Sequence, residues 1–215
     1  MTDLPTSVLE SRLKMLSDEK CRMIYDAALT IIAEIGMTVP HAEAREILVK
    51  GAGATVEGED LVRIPREAVA AARATVPSMI PVFDRNGEPA MELGGRNSYF
   101  GTGSDLMSIY DFETRERRPS VLADTARMAH LCDGLPNIDF IMSAAHPHDI
   151  EAYASYLECY RVMVSNTTKP MVMTAAAKDD IEVMWKIACA FRGGAEELRA
   201  RPYFIHYGDP VSPLQ

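Results

Sequence analysis

A chain of 215 residues, 47% hydrophobic and 25% charged, is the size and composition of one soluble globular domain, or of one domain with an appendage. Its net charge of −9 argues against the basic surface that nucleic acid or an anionic membrane would require. Four widely spaced cysteines without a CxxC pair read as reduced thiols rather than a zinc site. No apolar run reaches the roughly 18 residues of a membrane span and no secretory h-region is visible, so the expected location is the cytoplasm.

Residues 1–16 are polar and expected to be mobile. Ser17 reads as the cap of a helix with Asp18 and Glu19 in its first turn. Its apolar stripe recurs at Met23, Ile24, Ala27, Ala28, Ile31, Ile32 and Ile35 until Gly36 ends it. Met37 to Val39 is briefly extended, and a second helix runs from Ala42 to Val49. Thr55-Val56 and Leu61 to Ile64 form a hairpin around Gly58. A third helix starts with Pro65 at its first position. Met79 to Asp84 and Ala90 to Leu93 form a second hairpin, and Asn86-Gly87 between them is the strongest short-range turn signal in the chain. Residues 17–96 are thus expected to form an α/β cap.

The block from Asn97 to Pro119 organises the remainder. A short strand ends in Gly101-Thr102-Gly103, where glycines permit close backbone approach and positive φ. Leu106 to Phe112 returns through Arg117 and Arg118, and Pro119 stops the strand before a helix expected near Ser120. Apolar runs at Ile138 to Ala144, Met171 to Ala175 and Tyr203 to Tyr207 then alternate with helical stretches. Strand starts near 98, 138, 171 and 203 give steps of 40, 33 and 32 residues, the spacing of strand–helix–strand units with a parallel sheet. The fold class is therefore α/β, and residues 97–215 read as the N-terminal half of a (β/α)8 TIM-type barrel. Such a barrel needs eight strands and typically about 250 residues, so the chain looks truncated. A complete small doubly wound domain is the alternative.

Several blocks together resemble the trimethylamine methyltransferase family: LSDEK with AALTIIAEIGMTV, VRIPREAV, DRNGEPAMELGGRNSYFGTG, YDFETRERRPS, LPNIDF and NTTKP. The likeness runs from about Leu16 to Leu214 and corresponds to the N-terminal half of family members. It implies a capped β/α barrel that moves a methyl group from a tertiary or quaternary amine to the Co(I) of a corrinoid (cobalamin). The corrinoid is carried by a separate partner protein, none is covalently bound here, and a homo-oligomer is expected. A non-catalytic half-barrel interaction module is the competing reading.

Barrel sites form at the C-terminal ends of strands. That rule nominates Phe100 to Ser104, Ser143 to His148, Thr174 to Ala176 and His206 to Asp209. From these, Phe100, Gly101, Thr102, Gly103, His146, His148, Tyr207 and Asp209 are the substrate-binding candidates; no catalytic residue is assigned. His146 and His148 lack a third metal ligand, and no metal is expected. Tyr99, Phe100, Tyr207 and Asp209 are weighed as a cation box, because a fully methylated ammonium offers no N–H and is held by aromatic faces and negative charge. Asn166 to Pro170 precedes its strand and reads as structural. Arg115, Arg117 and Arg118 read as solvated turn charges, or as a dock for an acidic partner.

Overall fold

The structure, a computed structural model, describes residues 15–208. The expected mobile segment lies outside the described residues except for Met15 and Leu16, and so does Asp209. The chain divides into two compact units at Val76/Pro77. Among the described residues no helix is long and apolar enough to cross a membrane.

In the first unit α1 (Asp18–Thr30) starts where the Ser17 hydroxyl accepts the Lys20 N–H at 3.2 Å. A π-helical turn, Ile31–Ile35, extends it to Gly36. At φ +87°, with the Val62 carbonyl 2.7 Å from where a Cβ would lie, only glycine fits position 36. The strands β1 (Met37–Thr38), β2 (Thr55–Glu57) and β3 (Leu61–Arg63) form an antiparallel sheet in the order β1-β3-β2. Between and after them come α2 (Ala42–Ala52) and α3 (Arg66–Ala74). The core of this unit is small: Val39, Ala54 and Val62 are buried, with Met37, Leu48 and Ile64 against them. The expected apolar stripe of α1 forms on a helix, yet Met23, Ile24, Ile31 and Ile35 remain exposed because so thin a sheet cannot cover them.

The second unit opens with an antiparallel hairpin, β4 (Met79–Phe83) and β5 (Pro89–Gly94). Its tip is organised by Asp84, whose Oδ1 accepts the N–H groups of Asn86, Gly87 and Glu88 at 2.8, 2.8 and 2.9 Å. The tip is anchored to the N-terminal edge of the sheet that follows. Phe83 N–H donates to the Pro202 carbonyl (2.8 Å) and Arg85 N–H to the Thr168 carbonyl (2.6 Å). The Arg192 guanidinium donates to the carbonyls of Arg85, Asp84 and Arg201 at 2.8, 2.7 and 2.6 Å.

A second hairpin, β6 (Ser108–Tyr110) with β7 (Arg117–Pro119), precedes α4 (Leu122–Asp133). The helix begins two residues later than expected, because Ser120 is buried and spends its hydroxyl on the His146 carbonyl. Then come a 3-10 turn and α5 (Ser155–Asn166), β8 (Met171–Met173), α6 (Lys178–Arg192), α7 (Ala195–Ala200) and β9 (Phe204–His206). β8 and β9 pair in parallel, Ile141 bridges Met171 in parallel, and Gly101 bridges Phe140 in parallel. The parallel order therefore runs 101–140–171–204 in sequence order, as the spacing predicts.

Of the four parallel segments only β8 and β9 pair as full strands, and no barrel closes among the described residues. The first two segments interrupt their ladder with side chains. Phe100 N–H donates to Asp139 Oδ2 (2.7 Å), and Met142 N–H donates to Thr102 Oγ1 (2.7 Å) while that hydroxyl donates to the Met142 carbonyl (3.1 Å). Ala144, at φ +58°, breaks regular extension further. Helices α4 to α7 cover one face of these segments. The core between them contains Ile141, Tyr160, Met163, Met171, Met173, Met184 and Tyr203, each almost wholly buried. A fully buried side chain of this size is worth about 1.5–3 kcal/mol, so this layer holds the parallel segments in place.

The Asn166 to Pro170 turn is structural, as read from its position. Asp133 Oδ1 accepts from the Thr167 hydroxyl (2.8 Å), Thr168 N–H (2.7 Å) and the Thr168 hydroxyl (3.0 Å). Lys169 Nζ donates to the carbonyls of Leu135 and Ile138, the latter at 2.5 Å.

Candidate functional site

A small cavity of about 190 Å³ sits where the four parallel segments end at their carboxyl side. The first segment contributes Ser104 and Asp105, the second Met142 and Ser143, the third Thr174 and the fourth Tyr207. Tyr156 of α5 closes it from the helical layer. Each lining residue is there for a local reason. Thr174 and Tyr207 follow directly on β8 and β9, and Tyr207 N–H donates to the Met173 carbonyl at 2.7 Å. Asp105 adopts φ +61°, a left-handed conformation that aspartate tolerates better than most residues. Burial raises the Tyr156 phenol above its usual range, and the charge and hydrogen bond of Asp105 raise it further, so Tyr156 keeps its proton as a donor. Behind it, burial pushes the Cys159 thiol up to about 11, and Cys159 serves as packing rather than as a thiolate nucleophile.

The residues expected from sequence meet this cavity unevenly. Tyr207 lines it and is 51% exposed. Thr102 supports the adjoining segment through its hydroxyl pair with Met142. Phe100 is 69% exposed and outside the lining. Neither Gly101 nor Gly103 takes the expected positive φ. The close approach at Gly101 is internal: a Cβ there would lie 2.5–2.6 Å from three atoms of the Phe140 ring, whereas nothing lies within 4 Å of a Cβ at Gly103. Gly103 therefore leaves open space beside the cavity, and the space at Gly101 is filled by the protein itself.

His146 packs its ring against Tyr156, centroids 6.2 Å apart and planes at 73°, so it reaches the cavity only through that tyrosine. His148 is exposed on the outer wall with Asp149, Glu151 and Tyr153. The loop carrying both histidines is fixed through Ser120, which accepts the His148 N–H at 2.9 Å. The Tyr99 hydroxyl bonds to Glu92, accepting its N–H at 2.8 Å, which removes Tyr99 from the cation box. Arg118 is no free turn charge. Its guanidinium clamps Asp124 in a bidentate pair (2.8 and 2.9 Å) and reaches Asp111 at 2.9 Å. The Arg118 hydrogen bond, followed by the Thr114 and Glu113 N–H groups, holds the Asp111 carboxyl at about 2.

Sequence reasoning missed Asp105 and Tyr156. Asp105 lies one residue past the nominated loop; its signal is an aspartate directly after a Gly-Thr-Gly-Ser turn. Tyr156 sits in the first turn of a helix, where no strand-end rule looks.

Parallel segments joined by helices, with a cavity at their carboxyl edge, define an α/β protein that carries its candidate site on βα loops. A sequence model of the trimethylamine methyltransferase family matches residues 4–215, and the chain belongs to that family. It is 30% identical over 200 residues to trimethylamine methyltransferase MttB of Desulfitobacterium hafniense, covering 93% of this chain and 40% of that protein. It is 28% identical over 212 residues to trimethylamine methyltransferase MttB of Methanosarcina thermophila, covering 94% of this chain and 43% of the relative. The match to the Methanosarcina barkeri protein of the same name is 27% over 212 residues, with 94% and 42% covered. The chain thus spans about two fifths of the length of these relatives.

Proposed function

We propose that this chain supplies the amine-binding side of a corrinoid-dependent methyltransferase, which moves a methyl group from a tertiary or quaternary methylated amine to a corrinoid carried by a separate protein. The observation that carries the reading is the family match across residues 4–215, joined by relatives named trimethylamine methyltransferases. The parallel order 101–140–171–204 supports the finer reading of the fold, in which these segments are the first four strands of a (β/α)8 barrel.

An amine leaves well only when it bears positive charge, so the substrate is a quaternary ammonium or a protonated amine. The corrinoid supplies an electron-rich Co(I) that accepts the methyl group, while the C–N bonding pair departs with the amine. The part left to this chain is to bind and orient the cation and to keep water away from it. Tyr156 and Tyr207 offer aromatic rings to the cation, Met142 and Val172 supply apolar wall, and Asp105 supplies negative charge. Gly103, with nothing within 4 Å of where a Cβ would lie, would leave room beside the cavity for a bulky acceptor. Four free cysteines and the exposed stripe of α1 support placing the protein in the cytoplasm as a homo-oligomer.

The test follows the absorbance of a Co(I) corrinoid protein mixed with a panel of methylated amines and either this chain or a full-length relative carrying the same cavity residues. Methyl transfer by the full-length relative is expected. No turnover by either protein with any amine overturns the reading.

A further inference from the structure

The cavity lining contains one carboxylate, two phenol rings and no lysine or arginine. Asp105 is exposed at the mouth of the cavity and forms no ion pair among the described residues; its polar neighbour is the protonated Tyr156 phenol. A carboxylate beside two aromatic rings, with no lysine or arginine in the lining to compete, suits a small external cation held by the ring faces and the negative charge. Trimethylammonium, with four heavy atoms, fits a cavity of about 190 Å³. Two non-glycine residues on neighbouring segments, Asp105 at φ +61° and Ala144 at φ +58°, hold disfavoured left-handed backbone at this edge. That strain turns the chain so that position 105 lines the cavity rather than continuing the strand.

Resting on the amine-binding reading above, we infer that Asp105 accepts the N–H of a protonated tertiary amine and so sets a preference for tertiary over quaternary ammonium ligands. A protonated tertiary amine presents one N–H to the carboxylate and three alkyl groups to the rings of Tyr156 and Tyr207. A quaternary ammonium has no N–H and draws only long-range attraction from the same carboxylate. One hydrogen bond to a charged partner corresponds to a preference of about ten- to a hundredfold.

The experiment is calorimetric titration of the 215-residue chain with trimethylammonium chloride and, separately, tetramethylammonium chloride at neutral pH. The expected result is at least tenfold tighter binding of trimethylammonium, with Asp105→Asn abolishing that preference while weakening tetramethylammonium binding only a few-fold. Asparagine tolerates the left-handed backbone as aspartate does. Asp105→Gly removes the carboxylate at a position where glycine is unstrained, and it repeats the test independently of asparagine's own hydrogen bonding. Equal binding of both cations by the parent, binding of neither, or an equal loss of both in the variants overturns the inference. Because no corrinoid protein is present, the outcomes separate. Absent methyl transfer with the preference intact counts against the proposed reaction alone, and transfer without the preference counts against Asp105 alone.

Discussion

Replacing Gly101 with alanine puts a methyl group where the Phe140 ring already lies. The new carbon would sit 2.5 Å from Cε2 and 2.6 Å from both Cδ2 and Cζ, about 1 Å inside ordinary carbon–carbon contact. Backbone strain adds nothing, since Gly101 has no positive φ, so the whole cost comes from displacing the ring. Phe140 is only half-buried and is free to swing outward, which limits the damage to the usual range for overpacking, about 1–3 kcal/mol. Urea unfolding followed through Trp185, the single tryptophan and a residue of α6, reads the stability of this unit directly. In a Phe140→Ala background the same substitution should cost nothing, giving a coupling energy of at least about 1 kcal/mol. Gly103→Ala is the control: with nothing within 4 Å it should be neutral or stabilise by about 0.4–1 kcal/mol. A Gly101→Ala protein as stable as its parent, or one equally destabilised without the Phe140 ring, refutes the reasoning.

Asp133→Ala should lower stability by about 2–3 kcal/mol in the same assay, because three donors from Thr167 and Thr168 lose their acceptor; an unchanged midpoint contradicts it. Acid should destabilise the second unit. Asp111 is held at about 2 by Arg118 and the Thr114 and Glu113 N–H groups, and Asp124 is lowered first by Arg118. Burial pushes Asp133 up, but its hydrogen bonds from Thr168 and Thr167 outweigh it and leave it lowered. Each folded value lies below the ordinary 3.8, so the stabilisation is complete above that pH and is lost as pH falls through the folded values. A urea midpoint constant from pH 5 to about 2 would show otherwise. Alkylation under native conditions should modify exposed Cys21 quickly and leave buried Cys132 and Cys159 untouched until urea is added; intact mass against time decides this, and early modification of Cys159 tells against its burial.

Much of the fold is legible because it is local. The Ser17 cap, the Asn86-Gly87 turn and the helix-ending glycines Gly36, Gly53, Gly134 and Gly193 are read from a few neighbouring residues, and the structure places elements there. The spacing of apolar runs gives the parallel order. Regular strands at 97–101 and 138–144 are a different matter, since Asp139 and Thr102 occupy ladder positions with their side chains across separations of 39 and 40 residues. Long-range side-chain events of this kind also account for what the candidate site hid. The Phe140 ring over Gly101, Arg118 drawn onto Asp124, and Tyr156 facing Asp105 depend on which segments become neighbours, and no local pattern marks them.

The hairpin anchored beneath the sheet has a consequence for synthesis on the ribosome. Its tip is complete only when Asp84 and Arg85 receive the guanidinium of Arg192, 108 and 107 residues downstream, and when Phe83 reaches Pro202. At about 5–20 residues per second, the hairpin emerges some 5–20 s before its last partners exist. Through that interval the Asp84 turn, held by its own three N–H bonds, keeps the tip shaped while the carbonyls of Asp84 and Arg85 remain hydrated. Once Arg201 has also emerged, the one Arg192 guanidinium joins the first-made hairpin to the segment that leads into β9.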